Sequence, residues 1–191
     1  GMMRTCMEYV SQFNRVVAAH CEVESLSTNG VINEGRASTR LGMFGWPALA
    51  EELEISRDIE LCRLTGCPLH ICHISTARGA DLVRQAKAEG LPVTAEVCPH
   101  HLFLNEEDIT TTYNTNLKMN PPLRTADDAR ALQEAVVDGT IDCIVTDHAP
   151  HAAHEKDTEW EIAYFGTIGL ETSLPLMLTR MVASNKLSWT R

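Results

Sequence analysis

Apolar and polar residues follow two different periods along the chain, and these periods predict short strands separated by longer helices. The apolar runs are short and rich in Val and Ile, which is typical of strands buried in a parallel sheet. The predicted strands cover residues 15–19, 68–72, 92–97 and 141–145. Helical periodicity predicts helices at residues 2–13, 48–66, 75–90, 125–138 and 171–183. The predicted caps are Ser75 or Thr76 and Thr125 at helix starts and Gly66 at a helix end. This strict alternation implies a parallel sheet with the helices packed outside it.

Three stretches between these elements show neither period and are predicted to be loops. Residues 25–47 are rich in Gly, Ser and Asn, which favour turns over helices or strands. Residues 105–124 contain Pro121 and Pro122, which lack the N–H group that regular structure needs. Residues 148–167 separate the fourth predicted strand from the last helix.

Composition narrows the classes of protein and partner. The chain has 191 residues, 44% of them hydrophobic, which suffices for the core of one domain spanning residues 1–191. Its net charge of -10 disfavours nucleic acid and anionic membranes as partners. No apolar stretch is long enough to span a bilayer. Seven cysteines, none in a CxxC pair, indicate free thiols in a reducing cytoplasm.

Polar residues with metal-binding side chains stand where three of the predicted strands end. These residues are His20, His73 and Asp147. Parallel strands place their carboxyl ends on one side of the sheet, which is where the catalytic residues of a (β/α)8 barrel lie. Two imidazoles and a carboxylate are a suitable set of ligands for zinc or a similar divalent ion. A metal-dependent hydrolase is therefore one reading of the pattern.

Each of these residues also has a structural reading, because a lone strand-end His is usually just hydrogen-bonded within the fold. Other histidines complicate the choice of ligands. His100 and His101 follow the third strand and are candidates on spacing alone. His70 faces the opposite side of its strand and is interpreted as structural. His148 and His154 are interpreted as loop residues.

Five segments, in this order, carry a resemblance to a known family. They are residues 19–22 (AHCE), 71–76 (ICHIST), 94–102 (TAEVCPHHL), 119–124 (MNPPLR) and 146–151 (TDHAPH). Together they resemble the dihydroorotases of the amidohydrolase superfamily, in particular the long bacterial type. Allantoinases and hydantoinases are the nearest related families. The resemblance implies an α/β fold that is part of a (β/α)8 TIM-type barrel, roughly its strands five to eight with their helices.

The resemblance also implies a binuclear zinc centre in the complete enzyme. His20 and His73 match the histidines that hold the second metal ion. Asp147 matches an aspartate that is a metal ligand, the general base and the proton shuttle. The family does not use the histidines that match His100 and His101 as ligands, so the resemblance removes those two from the candidates.

Substrate-binding positions follow from the same resemblance. Asn120 and His151 match residues that bind the substrate, and Phe165-Gly166 matches a loop whose backbone contacts it. The implied reaction is the reversible hydrolysis of the cyclic amide of dihydroorotate to N-carbamoyl-aspartate, a step of pyrimidine biosynthesis. The small-molecule substrate would be an anionic ring oriented by these residues.

Two departures from the family pattern limit this expectation. The His-x-His pair of the first barrel strand and the carboxylated lysine or aspartate of the fourth are absent. Val23 also stands where relatives usually have an acidic residue. The chain is therefore expected to be a fragment of a metal-dependent hydrolase barrel, inactive alone and weak in metal binding.

A half barrel would expose two sheet edges and an apolar interior. We therefore expect the chain to associate with itself, as a homo-oligomer, or with a missing N-terminal half. Two other functions remain open: another cyclic amidohydrolase of allantoinase or hydantoinase type, and a non-catalytic dihydroorotase-like partner of aspartate carbamoyltransferase.

Overall fold

The computed structural model describes residues 1–190 and contains the predicted alternation of strands and helices. The strands are β1 (Val17–Ala19), β2 (Ile32–Asn33), β3 (Gly45–Trp46), β4 (Leu69–Ile71), β5 (Val93–Val97) and β6 (Cys143–Ile144). The α-helices are α1 (Met2–Val10), α2 (Glu24–Ser27), α3 (Arg36–Leu41), α4 (Leu49–Thr65), α5 (Ala77–Ala88), α6 (Pro99–Phe103), α7 (Ala126–Asp138), α8 (Ala153–Lys156) and α9 (Leu170–Met177). Single turns of 3-10 helix lie at Ser11–Phe13, Glu106–Asp108 and Thr115–Leu117, and a π-helical turn lies at Leu178–Val182. Within residues 1–190, no helix combines the length and apolar character needed to cross a bilayer.

The main sheet has four parallel strands in the order β1-β4-β5-β6. Ala19 pairs with Ile71, and Ile71 pairs with Ala95. Val97 pairs with Ile144 on the other side of β5. Since all four strands run in one direction, their carboxyl ends meet at one edge of the sheet. The predicted parallel α/β arrangement is thus confirmed, and it gathers the residues that follow each strand.

One face of this sheet packs against the helices and forms the larger core. Leu69, Ile71, Ala95 and Val97 are almost completely buried there. Burying a Leu or Ile side chain of this kind stabilises the fold by about 1.5–3 kcal/mol relative to leaving it exposed. Alternate residues of each strand supply this face, as the pleat of a strand requires.

The opposite face of the sheet is polar. The prediction of an exposed apolar interior is therefore wrong for these strands. Thr94 and Cys143 are exposed, and His70 and Glu96 are half-buried. The His70 ring contacts Thr94 Oγ1 at 2.7 Å through Nδ1 and Glu96 Oε2 at 3.0 Å through Nε2. Because these side chains satisfy one another, the face needs no apolar cover. The same contacts give His70 the structural role that its strand position predicts.

Residues 25–47, predicted to be a loop, contain four short elements. Strands β2 and β3 pair in parallel, with Ile32 opposite Gly45, and helices α2 and α3 flank β2. Ile32 also joins a second, smaller core with Leu123 and Trp160. Elements of two to six residues are too short for a hydrophobic period to show, which is why the sequence pattern missed them.

The capping residues that the sequence predicts are in place. Thr76 Oγ1 accepts a hydrogen bond from Gly79 N at 3.0 Å at the start of α5. Thr125 Oγ1 accepts one from Asp128 N at 3.1 Å at the start of α7. Gly66, with a φ of 69°, ends α4 in the left-handed region that favours glycine. These caps fix where each helix begins or ends relative to the strand that carries a candidate ligand.

Candidate active site

His20 and His73 meet at the carboxyl edge of the sheet. His20 directly follows β1, and His73 lies two residues beyond β4, its neighbour in the sheet. The Nδ1 atom of His20 is 3.0 Å from the Nε2 atom of His73, although 53 residues separate them in sequence. The rings are steeply inclined, with 72° between their planes. The pairing of β1 with β4 therefore brings together two of the three predicted ligands.

A carboxylate fixes the tautomer of His20. Glu22 Oε2 lies 3.0 Å from His20 Nε2, so this nitrogen carries the proton and donates it. The lone pair of His20 then lies on Nδ1 and points at His73 Nε2. A histidine whose other nitrogen donates to a carboxylate is the usual arrangement around protein-bound metals. The pair therefore offers two nitrogen donors that fit a divalent ion.

The surroundings of His73 favour the neutral imidazole, which is the protonation state that binds a metal. Burial lowers the pKa of His73, and the nearby His20 lowers it further, against a smaller opposing effect of Asp147. Its Nδ1 atom is buried and has no hydrogen-bond partner among residues 1–190.

Asp147 follows β6 and is exposed. Its φ is 44° and that of His73 is 30°, so both candidate ligands lie in the left-handed region. That region costs a non-glycine residue about 1–3 kcal/mol and is over-represented at functional sites. The third predicted ligand thus lies at the same edge of the sheet, although among residues 1–190 no hydrogen bond joins its side chain to the two histidines.

Glu22 links the histidine pair to Asn120. Asn120 Nδ2 donates a hydrogen bond to Glu22 Oε2 at 3.3 Å. Burial would raise the pKa of Glu22, but hydrogen bonds from Ser27, His20 and Asn120 outweigh it and lower that pKa. Glu22 is therefore a carboxylate that positions both a metal-ligand candidate and a substrate-binding candidate. This role was not predicted, because nothing in the sequence shows that Asn120 lies beside Glu22.

His151, Phe165 and Gly166 form a second cluster. His151 Nε2 donates to the carbonyl oxygen of Phe165 at 2.9 Å. Gly166 has a φ of 137°, and a Cβ atom there would lie 2.7 Å from Ala149 O and 3.0 Å from His151 Nε2. Glycine is therefore required at this position. Within the described chain, no hydrogen bond connects this cluster directly to His20 or His73.

Two lysines hold the loop that carries this second cluster. The Lys118 side chain is almost completely buried, and its Nζ donates to the carbonyls of Trp160 and Ala163, both at 2.7 Å. The same Nζ lies 4.5 Å from the centroid of the Phe165 ring. Lys156 Nζ donates to the carbonyl oxygen of Gly166 at 2.8 Å.

These two ammonium groups are close enough to influence each other. Burial and, to a smaller extent, Lys156 lower the pKa of Lys118 to about 8. The backbone at Phe165-Gly166 is thus fixed by two lysine side chains whose role no sequence pattern predicts.

A buried network supports the segment that contains Asn120. Arg124 donates to Asn33 Oδ1 and to Trp46 O, each at 2.9 Å, and its Nη2 lies 3.6 Å from Glu51 Oε2. Glu51 in turn accepts hydrogen bonds from the backbone and the hydroxyl of Ser75. We call these five residues the buried arginine network, and it joins the segment after β5 to the residues that follow β4.

A family model and the curated relatives of this chain both point to dihydroorotases. The model of the family described as "Dihydro-orotase-like" matches residues 1–79. The dihydroorotase of Pelotomaculum thermopropionicum is 50% identical over 188 residues, covering 98% of this chain and 44% of that protein. The dihydroorotase of Endomicrobium trichonymphae is 52% identical over 187 residues, again 98% of this chain and 44% of the relative. The chain therefore spans less than half the length of the curated relatives it matches.

Solved structures with the same fold belong to related cyclic amidohydrolases. The L-hydantoinase (dihydropyrimidinase) of Arthrobacter aurescens matches with a TM-score of 0.83 at 27% identity, over 98% of this chain and 43% of that one. The dihydropyrimidinase of Brevibacillus agri matches with a TM-score of 0.83 at 19% identity, over 98% and 42%. These likenesses confirm the predicted fold class, part of a TIM-type barrel of the amidohydrolase superfamily.

The high sequence identity to dihydroorotases over nearly the whole chain, together with the family model, is more specific evidence than the shared fold. Over nearly its whole length the chain is therefore similar to the C-terminal part of longer dihydroorotases, and its first 79 residues match the dihydro-orotase-like family model.

Proposed function

We propose that this chain supplies part of the active site of a dihydroorotase, which reversibly hydrolyses dihydroorotate to N-carbamoyl-aspartate. The observation that carries the proposal is the contact between His20 Nδ1 and His73 Nε2 at 3.0 Å, with Glu22 fixing the tautomer of His20. Two imidazole nitrogens this close together, one ring of which donates to a carboxylate, are an arrangement common around protein-bound metals. Identity of 50% to dihydroorotases favours this substrate over hydantoins.

The proposed roles follow the positions of the side chains. His20, His73 and Asp147 would hold zinc, one ion of a binuclear centre whose other ligands lie outside this chain. When bound, the ion supplies a hydroxide nucleophile near neutral pH and polarises the ring carbonyl. Asp147, exposed at the sheet edge, accepts a proton from the attacking water and passes it to the leaving amide nitrogen.

Four other residues are proposed to orient the substrate. Asn120 is held by Glu22, which fixes the direction of its carboxamide. His151, held by the carbonyl of Phe165, and the backbone at Gly166 form the other side of the proposed substrate site. Pre-positioned groups of this kind lower the entropic cost of bringing the ring to the nucleophile.

The remaining parts of the proposal concern the surroundings of the chain. We propose that residues 1–191 are one domain, a portion of the barrel that works only with the missing N-terminal half, and that the complete protein forms a homo-oligomer. An association with aspartate carbamoyltransferase is a further proposed arrangement of the same enzyme. A cytoplasmic location is supported by cysteines that are all free among the residues described.

A chimaera tests the function directly. The matched 188 residues of the Pelotomaculum thermopropionicum dihydroorotase are replaced by this chain, and hydrolysis of dihydroorotate is measured by the loss of its ring absorbance. We expect zinc-dependent turnover by the chimaera and none by the 191-residue chain alone. An Asp147→Asn variant should lose at least about a hundredfold in kcat, because general acid–base catalysis contributes that much.

The same chimaera separates the alternatives. Faster hydrolysis of hydantoin or allantoin than of dihydroorotate would assign the chain to another cyclic amidohydrolase. A folded chimaera that hydrolyses none of these rings would favour the non-catalytic partner. Turnover by the 191-residue chain alone would contradict the proposal that the site is shared with residues outside it.

A further inference from the structure

A glutamate on the polar face of the sheet reaches the backbone of a candidate metal ligand. Glu96 lies in β5, the strand beside β4, and its side chain is 17% exposed. Its Oε1 atom accepts a hydrogen bond from the backbone N–H of His73 at 3.2 Å. The roles proposed above do not include Glu96, so this contact needs its own explanation.

The backbone of His73 departs from the geometry of the strand that precedes it. Side chains alternate between the two faces of a strand, so a continued β4 would turn residue 73 to the same face as Leu69 and Ile71. That face is the apolar core. Instead, His73 has a φ of 30°, in the left-handed region, and its ring meets that of His20. We therefore attribute the direction of the His73 imidazole to this left-handed backbone.

Glu96 holds this backbone at two consecutive amides. Its carboxylate accepts from His73 N, and its own carbonyl oxygen accepts from Ile74 N at 2.9 Å. The preceding amide, that of Cys72, donates to the carbonyl oxygen of Ala19 in β1 at 3.0 Å. Of these three amides, the amide of His73 is the one whose acceptor is a side chain. Its position therefore depends on where the Glu96 carboxylate is held.

The Glu96 carboxylate is itself fixed from its other side. Its Oε2 atom accepts a hydrogen bond from His70 Nε2 at 3.0 Å, and His70 Nδ1 lies 2.7 Å from Thr94 Oγ1. Hydrogen bonds to an ionised carboxylate are shorter and stronger than those between neutral groups. Because both carboxylate oxygens are engaged, Glu96 has little freedom to move away from His73 N. A chain of contacts therefore runs along the polar face from Thr94 to the candidate ligand.

We propose that Glu96 is a positioning residue for the metal centre, which holds the left-handed backbone of His73 so that Nε2 of this residue faces Nδ1 of His20. The inference rests on the proposed function, because it takes His73 as a metal ligand. A metal-bound histidine is usually oriented by a partner on its other ring nitrogen. In His73 that nitrogen, Nδ1, has no hydrogen-bond partner within the described part of the chain. Glu96 would supply the missing orientation through the backbone.

Amide hydrogen exchange, followed by NMR in the metal-free 191-residue chain, tests the contact itself. The His73 amide should exchange at least about tenfold faster in Glu96→Met, because the methionine offers no comparable acceptor and hydrogen bonds to charged groups have effects of that size. Glu96→Gln keeps an acceptor oxygen and should keep the protection. Asp142→Leu is the matched control, since Asp142 Oδ2 accepts from Ala95 N at 2.8 Å at the start of β6. This control also loses a hydrogen bond between a carboxylate and a backbone amide, but should leave exchange at His73 unchanged.

Calorimetric titration of Zn²⁺ tests whether the contact matters for the metal centre. Glu96→Met should weaken binding at least about tenfold, as changes behind a metal ligand commonly do. Glu96→Gln should restore most of the affinity, and Asp142→Leu should leave it unchanged. In a His73→Asn background, Glu96→Met should cause no further loss, because its effect passes through His73. A merely structural role of Glu96 would lower the affinity equally in both backgrounds.

The outcomes separate this inference from the proposed function. Loss of zinc affinity in His73→Asn but not in Glu96→Met would overturn the role of Glu96 and leave His73 as a ligand. An unchanged exchange rate of the His73 amide in Glu96→Met would overturn it too. Unchanged zinc affinity in His73→Asn would overturn the proposed function, and this inference with it. If circular dichroism shows that Glu96→Met is unfolded, Glu96→Asp replaces it, since its shorter carboxylate withdraws from His73 N and the same results are expected.

Discussion

The buried arginine network and the His20–His73 pair lie close to the same strand end but satisfy their polar atoms in opposite ways. Arg124 is 3% exposed, and its guanidinium contacts Asn33, Trp46 and Glu51. The His20 side chain is 41% exposed, and among residues 1–190 only the other imidazole lies within hydrogen-bond distance of its Nδ1. Within the same residues the network pairs its buried charges with each other, although Arg124 Nη2 approaches Glu51 without a hydrogen bond. In the histidine pair, the buried Nδ1 of His73 has no partner in the described part of the chain.

This difference separates the groups that hold the site from those that act in it. A buried charge has to be paired inside the fold, because removing it from water is costly. A ligand or catalytic group has to stay partly unsatisfied, because its partner is an ion or substrate. Variants of the first kind should therefore change stability, and variants of the second kind should change binding.

The largest effect on stability is expected for Arg124→Met. This change leaves the Glu51 carboxylate buried without its cationic neighbour and removes two hydrogen bonds to Asn33 and Trp46. Breaking a buried ion pair from one side costs about 3–5 kcal/mol. Urea unfolding followed by circular dichroism measures the loss. Arg130→Met, at an exposed arginine, should change the free energy of unfolding by no more than about 0.5 kcal/mol, and equal losses in the two variants would contradict this account of the network.

The sequence predicted the framework better than it predicted these contacts. The strands around Ala19 and Ile144 were recognisable as short apolar runs. Those around Ile71 and Val97 were recognisable because apolar residues there alternate with polar ones. The caps at Thr76 and similar positions were recognisable because a single side chain sets them. Contacts such as those of Arg124 depend on segments far apart in sequence, and no local pattern reports them.

The candidate site likewise has residues that the sequence predicts and contacts that it does not predict. Strand ends and family motifs pointed to His20 and His73, and the structure brings these two together. Their link to Asn120 through Glu22 was not predicted, because it needs the three-dimensional positions of two loops. The role of Asp147 stays a prediction that the Asp147→Asn chimaera tests, and the role of His151 also stays a prediction.

A smaller loss of stability is expected for Lys118→Met. The methionine fills similar space, but the carbonyls of Trp160 and Ala163 lose their donor. Since a buried acceptor without a partner costs about 1–3 kcal/mol, and the methionine recovers part of this by packing, we expect a loss of roughly 2–3 kcal/mol. Lys186→Met, at an exposed lysine, is the matched control. Limited proteolysis should cut the 157–166 loop faster in Lys118→Met only, and equal rates in both variants would show that Lys118 does not hold this loop.

A loss of about 2 kcal/mol is expected for Gly166→Ala, from backbone strain together with the close approach to Ala149 O at 2.7 Å. Gly42→Ala separates the two causes. Gly42 also has a positive φ, of 70°, but a Cβ atom there would meet no atom within 4 Å. Thermal unfolding of both variants measures the difference, and a Gly42→Ala loss as large as that of Gly166→Ala would mean that the contact with Ala149 contributes nothing.

The smallest effect on stability, and the most direct test of the histidine pair, is expected for His20→Asn and His73→Asn. Asparagine tolerates the left-handed φ of 30° at position 73, so this change removes the imidazole without a new backbone strain. The measurement is calorimetric titration of Zn²⁺ into the 191-residue chain and into each variant. We predict weak binding that each substitution reduces at least about tenfold, with the free energy of unfolding of His20→Asn changed by no more than about 0.5 kcal/mol. Unchanged zinc affinity in both variants, together with a clear loss of stability, would contradict the assignment of His20 and His73 as metal ligands and leave them as structural residues.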